Sequence, residues 1–141
     1  MLTQILKDIK DGYSFLESYQ WVDQKKEDVF VFFSRAQNLE KITPLLSTLF
    51  KKSKVKAYDL SEAYIQYASS KRYSKTIDYQ FGNAESLPEV SSGSADLWSS
   101  TYMFHELPYT ARVNAIKEAH RVLNENGLIC IVDSIQKHDR E

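Results

Sequence analysis

Two rhythms of apolar and polar positions divide this chain. Val29-Phe-Val-Phe-Phe33 is an unbroken run of β-branched and aromatic residues, and Leu128-Ile-Cys-Ile-Val132 is a second fully apolar run. Runs of this kind form strands buried on both faces, as the central strands of parallel sheets are. Val55–Tyr58, Thr76–Phe81 and Asp96–Tyr102 predict three more strands. Between them, apolar residues return every three or four positions. Leu39, Ile42, Leu45, Leu46, Leu49 and Phe50 predict a helix with Asn38 as cap, a kink at Pro44, and Lys51-Lys-Ser-Lys54 at its negative end. Ala63, Tyr64, Tyr67 and Ala68 predict the apolar face of another, capped by Ser61. Ala111, Ala115, Ile116, Ala119, Val122 and Leu123 predict a third, with Gly127 as its left-handed terminator. Upstream, Ile5, Leu6, Ile9, Tyr13 and Leu16 predict one helix weakened at Gly12, or two short ones, before the polar connector Gln24–Asp28.

Strands alternating with helices imply right-handed βαβ units. The expected fold is α/β: a Rossmann-like, mostly parallel sheet of about five strands with flanking helices. No repeat or low-complexity linker interrupts residues 1–141, so a single domain is expected, with a helical segment over 1–24 and an α/β core over 27–135. With 141 residues, 43% apolar and 26% charged, the chain can build a real core.

A net charge of −1 provides no field for nucleic acid or an anionic membrane. No apolar stretch approaches the roughly 18 residues of a membrane span. The amphipathic start carries Asp8 and Asp11, unlike a secretory signal or a transit peptide. Cys130 is the single cysteine, and no histidine cluster has metal-ligand spacing. A cytoplasmic protein without a metal is expected.

The chemistry is concentrated at strand ends. In doubly wound sheets, ligands lie outside the carboxyl ends of strands. Asp59 ends the second α/β strand, where a carboxylate can accept both vicinal hydroxyls of a ribose. Gly82-Asn83-Ala84-Glu85 leaves the third strand as a tight turn, with a small backbone and an amide that could face the edge of a planar base. Downstream come Phe104-His-Glu-Leu-Pro108, Ala111-Arg112 and Ala115-Ile-Lys-Glu-Ala-His-Arg-Val-Leu123 before Gly127.

In this order and spacing, residues 55–133 resemble the middle of a class I S-adenosylmethionine-dependent methyltransferase, specifically the small-molecule, methyltransferase type 11-like group. The resemblance implies S-adenosylmethionine as cofactor and a small-molecule acceptor. It gives Asp59 the ribose hydroxyls, Leu60 packing against the adenine, Asn83 and Ala84 the adenine edge, and Glu85 the bracing of the loop. Ser100 and Thr101 would lie near the methionine end of the cofactor, with Tyr102, Met103 and Phe104 walling the acceptor pocket. It names no catalytic base.

The family's glycine-rich loop after the first strand is missing. Ser34-Arg-Ala-Gln-Asn38 holds no glycine, and the chain's four glycines are at 12, 82, 93 and 127. A non-glycine residue forced into left-handed backbone costs roughly 1–2 kcal/mol. The family's C-terminal strands are also missing, so the chain reads as a truncated or divergent copy. An exposed sheet edge would then invite a homodimer or a partner protein. The alternative function is a catalytically inactive, methyltransferase-like binding or scaffolding protein. A nicotinamide-binding fold would need the same missing glycines.

Plainer roles stand beside these. Asp59 could cap the next helix, Asn83 and Glu85 could stabilise a turn, and His105 and Glu106 could begin a helix whose positive end favours Glu106. Cys130 reads as a core residue of a buried strand.

Overall fold

The computed structural model describes residues 28–33 as backbone, and residues 53–70 and 77–134 in full. The helices expected over 3–20 and 39–50, the Ser34–Asn38 loop, Lys51, Lys52 and His138 lie outside the described residues.

Five strands form one sheet: β1 (Asp28–Phe33), β2 (Lys54–Asp59), β3 (Ile77–Phe81), β4 (Ala95–Thr101) and β5 (Leu123–Val132). Their order is β3-β2-β1-β4-β5, and every pairing is parallel. The apolar run at 29–33 thus occupies the middle of the sheet, as its composition demands. From β1 the chain builds outward through β2 and β3 on one side, and through β4 and β5 on the other. The reversal between β1 and β4 is the switch point of a doubly wound sheet.

Helix α1 (Glu62–Ser70) joins β2 to β3, and α2 (Tyr109–Val122) joins β4 to β5. Ser61 caps α1 as expected, its hydroxyl accepting the Tyr64 N–H at 3.3 Å. The apolar face predicted for α1 is only partly right. Ala68 is buried, whereas Ala63, Tyr64 and Tyr67 are exposed. Tyrosine is amphipathic, so its ring can lie along a helix margin with the hydroxyl in water.

On α2, Ala111, Ala115, Ala119 and Val122 are buried, and three alanines in that row let the helix approach the sheet closely. Ile116, predicted for the same face, is exposed, and Leu123 already belongs to β5. Beneath α2 the fully buried Trp98 meets Phe104 edge to face, with centroids 6.1 Å apart.

Gly127 does not end α2. The helix stops at Val122, because Leu123 turns extended at φ −73°, ψ 141°. Gly127 sits inside β5, where the register jumps from Ala95↔Leu123 to Leu97↔Leu128. Residues 124–127 are an extra excursion, closed by Asn126 N–H donating to Asn124 Oδ1 and by Asn124 Nδ2 donating to Asp96. A Cβ on Gly127 would lie 2.8 Å from Leu123 Cδ2, so glycine is required here for a close approach.

Residues 87–93 are fastened to α2 by the side chains of Arg121 and Glu118. Arg121 donates to the carbonyls of Leu87 and Val90, to Ser92 Oγ, and through Nε and Nη2 to Glu118. Glu118 Oε1 also accepts the Leu87 N–H at 2.6 Å. Arg121 thereby holds the Glu118 carboxyl below the usual carboxylate range. The predicted turn at 91–94 follows, with Gly93 at φ +67° and Ser94 Oγ donating to the Ser91 carbonyl.

Cys130 is half-buried, since β5 is an outer strand of the five. Burial pushes its thiol pKa up, which makes it a poor nucleophile. Among the described residues no helix is long and apolar enough to cross a membrane, and no three His, Cys, Asp or Glu side chains gather at a metal-binding distance.

Candidate functional site

A cleft of about 250 Å³ opens at the carboxyl ends of β2 and β3. It is assembled from three chain segments that each leave a strand. Tyr58, Asp59 and Leu60 come from the end of β2, Gly82–Glu85 from the turn after β3, and Met103, Glu106 and Leu107 from the segment after β4. Five of the seven residues expected at a ligand site are therefore brought together: Asp59, Leu60, Asn83, Ala84 and Glu85. Ser100 and Thr101 do not line it. Both are fully buried at the end of β4, paired in register with Phe32 and Phe33 of β1. Their hydroxyls have no hydrogen-bond partner among the described residues.

Asp59 is only 7% exposed, and its two oxygens have different surroundings. Oδ1 accepts the Ser61 N–H at 2.7 Å, which fastens the start of α1 to the end of β2. Oδ2 is buried with no partner among the described residues. Burial raises the carboxyl pKa, and the Ser61 N–H opposes that only in part. The capping role and a ligand role thus use different oxygens of one carboxylate. An unpartnered buried carboxylate oxygen costs free energy unless a donor meets it.

The turn after β3 is similarly divided. Asn83 Oδ1 accepts the Glu85 N–H at 3.0 Å, and the Ser86 N–H donates to the Asn83 carbonyl at 2.9 Å. This local ring is the ordinary turn chemistry of asparagine. It leaves the Asn83 Nδ2 donors unused among the described residues. Glu85 Oε2 accepts from Asn114 Nδ2 at 2.9 Å, so this carboxylate braces the turn against α2. Gly82 is held where a Cβ would come within 2.5 Å of the Tyr58 ring and 3.1 Å of Leu87.

The third wall begins with a backbone anomaly. Tyr102 has φ +52°, a left-handed conformation that non-glycine residues rarely adopt and that gathers at functional sites. Phe104–Glu106 then forms a 3-10 turn. The sequence reads His105 and Glu106 as the first residues of a helix; in the structure the turn is separate, and α2 starts only at Tyr109. Pro108 causes the break, because it drives Leu107 to extended backbone at φ −85°, ψ 139°.

Asp133, just beyond β5, closes this turn. Its Oδ2 accepts the N–H of Phe104 at 2.7 Å and of His105 at 3.3 Å, and its Oδ1 lies 2.6 Å from His105 Nδ1. Of the expected acceptor-pocket walls, Met103 lines the cleft. Tyr102 instead meets the His105 ring edge to face, and Phe104 covers Trp98. Tyr58, Glu106 and Leu107 were not anticipated, since only the proline break aims the 106–107 segment at the cleft.

Residues 39–131 match the family described as "Methyltransferase domain". The chain belongs to the class I S-adenosylmethionine-dependent methyltransferases. Solved methyltransferases share its fold. A protein from Galdieria sulphuraria, provisionally named a sarcosine dimethylglycine methyltransferase, matches with a TM-score of 0.74 at 17% identity, over 91% of this chain and 47% of its own. A SAM dependent methyltransferase from Aquifex aeolicus matches with a TM-score of 0.69 at 21% identity, over 99% and 76%. LepI, solved in complex with SAM, matches with a TM-score of 0.66 at 15% identity, over 87% and 31%. The chain therefore spans about half the length of the Galdieria protein. No curated protein matches this methyltransferase domain in sequence.

Proposed function

We propose that this methyltransferase domain binds S-adenosylmethionine in the cleft at Asp59 and transfers its methyl group to a small molecule. One observation carries the reading: Asp59, whose Oδ2 is buried without a partner among the described residues, lines the same cleft as the Asn83–Glu85 turn. The residues present fit the nucleoside half of the cofactor. A carboxylate oxygen awaiting a donor suits a ribose diol, and the Asn83 Nδ2 donors suit the ring nitrogens of adenine. Leu60, Ala84, Met103 and Leu107 give the apolar surface a planar base needs. A volume of about 250 Å³ is slightly below the ordinary small-molecule range, which suits part of the cofactor rather than all of it.

For Ser100 and Thr101 the proposal keeps the methionine end of the cofactor. Their buried hydroxyls stand at the switch point beside the end of β1 and have no partner among the described residues, so a ligand's carboxylate or amine could supply one. When bound, the cofactor supplies an electrophilic methyl on a sulfonium. What the chain contributes is placement of the two reactants, which accounts for much of the rate in such transfers.

Isothermal titration with S-adenosylhomocysteine and S-adenosylmethionine tests the reading. Saturable heat in the micromolar range is expected, and no heat up to millimolar concentration overturns it. A second reading, a methyltransferase-like scaffold that associates through a sheet edge, is favoured by Ile129 and Ile131 on outer strand β5, which are 41% and 40% exposed. It predicts a concentration-dependent dimer in sedimentation velocity and no cofactor heat.

A further inference from the structure

Resting on the methyltransferase reading, we infer that Asp133 is a positioning residue for the cofactor. It does not line the cleft, yet it sets where the third wall of the cleft stands. Three observations carry this.

First, the path from β4 to that wall is fastened to the end of β5. The Tyr102 N–H donates to the Val132 carbonyl at 2.8 Å. One residue further along, the Asp133 carboxylate takes four donors: the N–H groups of Phe104, His105 and Ser134, and His105 Nδ1 at 2.6 Å. A carboxylate only accepts, so Nδ1 carries the hydrogen of that contact. The Asp133 side chain is 13% exposed, and bonds to a charged group strengthen as water is excluded.

Second, the segment so held is strained. Tyr102 keeps φ +52°, and a left-handed non-glycine residue persists only where its surroundings over-determine it. Val132 holds the chain at the kink, and Asp133 holds it just beyond.

Third, the held turn carries the wall. Met103 and Glu106 line the cleft and bracket Phe104 and His105, the two residues whose N–H groups Asp133 accepts. Leu107 is tied separately, by Arg112 Nε donating to its carbonyl at 2.8 Å. Asp133 therefore governs the near part of the wall and Arg112 the far part. Without the carboxylate, the chain at 102 relaxes and Met103 and Glu106 leave their places opposite Asp59 and the Asn83 turn. The cofactor then binds only those molecules whose wall is in place, and its apparent affinity falls by that fraction.

Isothermal titration with S-adenosylhomocysteine should find binding roughly tenfold weaker in folded Asp133→Ala than in the unaltered protein. Asp133→Asn keeps an oxygen for the Phe104 and His105 N–H groups, and should recover most of that loss. A purely structural role predicts instead an Asp133→Ala protein that unfolds sooner yet binds at full strength while folded. The coupling is reciprocal. Saturating S-adenosylhomocysteine should therefore slow hydrogen exchange of the Phe104 and His105 amides in the unaltered protein by about the same factor. That measurement decides the matter even if Asp133→Ala does not fold. Unchanged affinity in folded Asp133→Ala, equal losses in the two variants, or amide exchange indifferent to the ligand each overturns the inference while the cofactor reading stands. If the unaltered protein gives no heat, the cofactor reading falls and the role of Asp133 falls with it.

Discussion

Replacing Asp59 by Asn separates its two oxygens experimentally. The amide oxygen can still accept the Ser61 N–H that Oδ1 accepts at 2.7 Å, so the join between β2 and α1 is retained. At the Oδ2 position an NH2 donor replaces a charged acceptor, and a ribose hydroxyl loses its partner. A hydrogen bond to a charged group is worth about 1.5–3 kcal/mol. S-adenosylhomocysteine binding should therefore weaken roughly 10- to 150-fold in Asp59→Asn. Stability should move the other way or stay level, because the variant no longer buries a charge whose Oδ2 has no partner among the described residues.

The pH dependence follows from the raised carboxyl pKa. A carboxyl whose folded value exceeds its unfolded value contributes stability that is fully present below the unfolded pKa. That contribution is lost as pH rises through the folded pKa. The native chain should lose this increment over that window, and Asp59→Asn should not. Ligand affinity runs opposite, strengthening with pH as the carboxylate ionises. Calorimetric titration and chemical denaturation across the acid range measure both. Full-strength binding by a folded Asp59→Asn protein would refute the reasoning, as would a variant that no longer folds.

Gly82→Ala should cost about 1–3 kcal/mol in denaturant unfolding, since its Cβ would meet the buried Tyr58 ring at 2.5 Å and Leu87 at 3.1 Å. Arg121→Met should cost about 2–3 kcal/mol, a figure reduced for the 35% exposure of the arginine, and should raise proteolytic cleavage within 87–93. The lowered pKa of Glu118 has the reverse sign to that of Asp59: its stabilisation is present above the unfolded pKa and lost as pH falls through the folded value. The stability gap between the native chain and Glu118→Gln should accordingly close in acid, as followed by thermal melts.

The sequence pattern carried far where one interaction dominates. A run such as Val29–Phe33 can only be covered on both faces, and it is the middle strand. Asp59 and the Asn83 turn were legible because each ends a strand whose neighbours could be read. Failures came where two local signals compete. Gly127 looks like a helix stop, yet Leu123 is already extended and the glycine serves a close approach within β5. His105 and Glu106 look like a helix start until Pro108 is weighed against them. The contact of Asp133 with that turn spans 28 residues or more, and nothing local in the sequence announces it. Ser100 and Thr101 sit where strand counting puts them, but only the structure shows how deeply they are enclosed.

The left-handed kink at Tyr102 makes the passage from β4 to the cleft wall a loaded spring. Glycine would relax it at no steric penalty, so a library screened for heat tolerance alone should drift toward glycine at 102. Such winners would surrender the ring that meets His105, together with the enforced bend that delivers Met103 to the cleft. Selection for robustness and selection for binding would thus pull this one position in opposite directions.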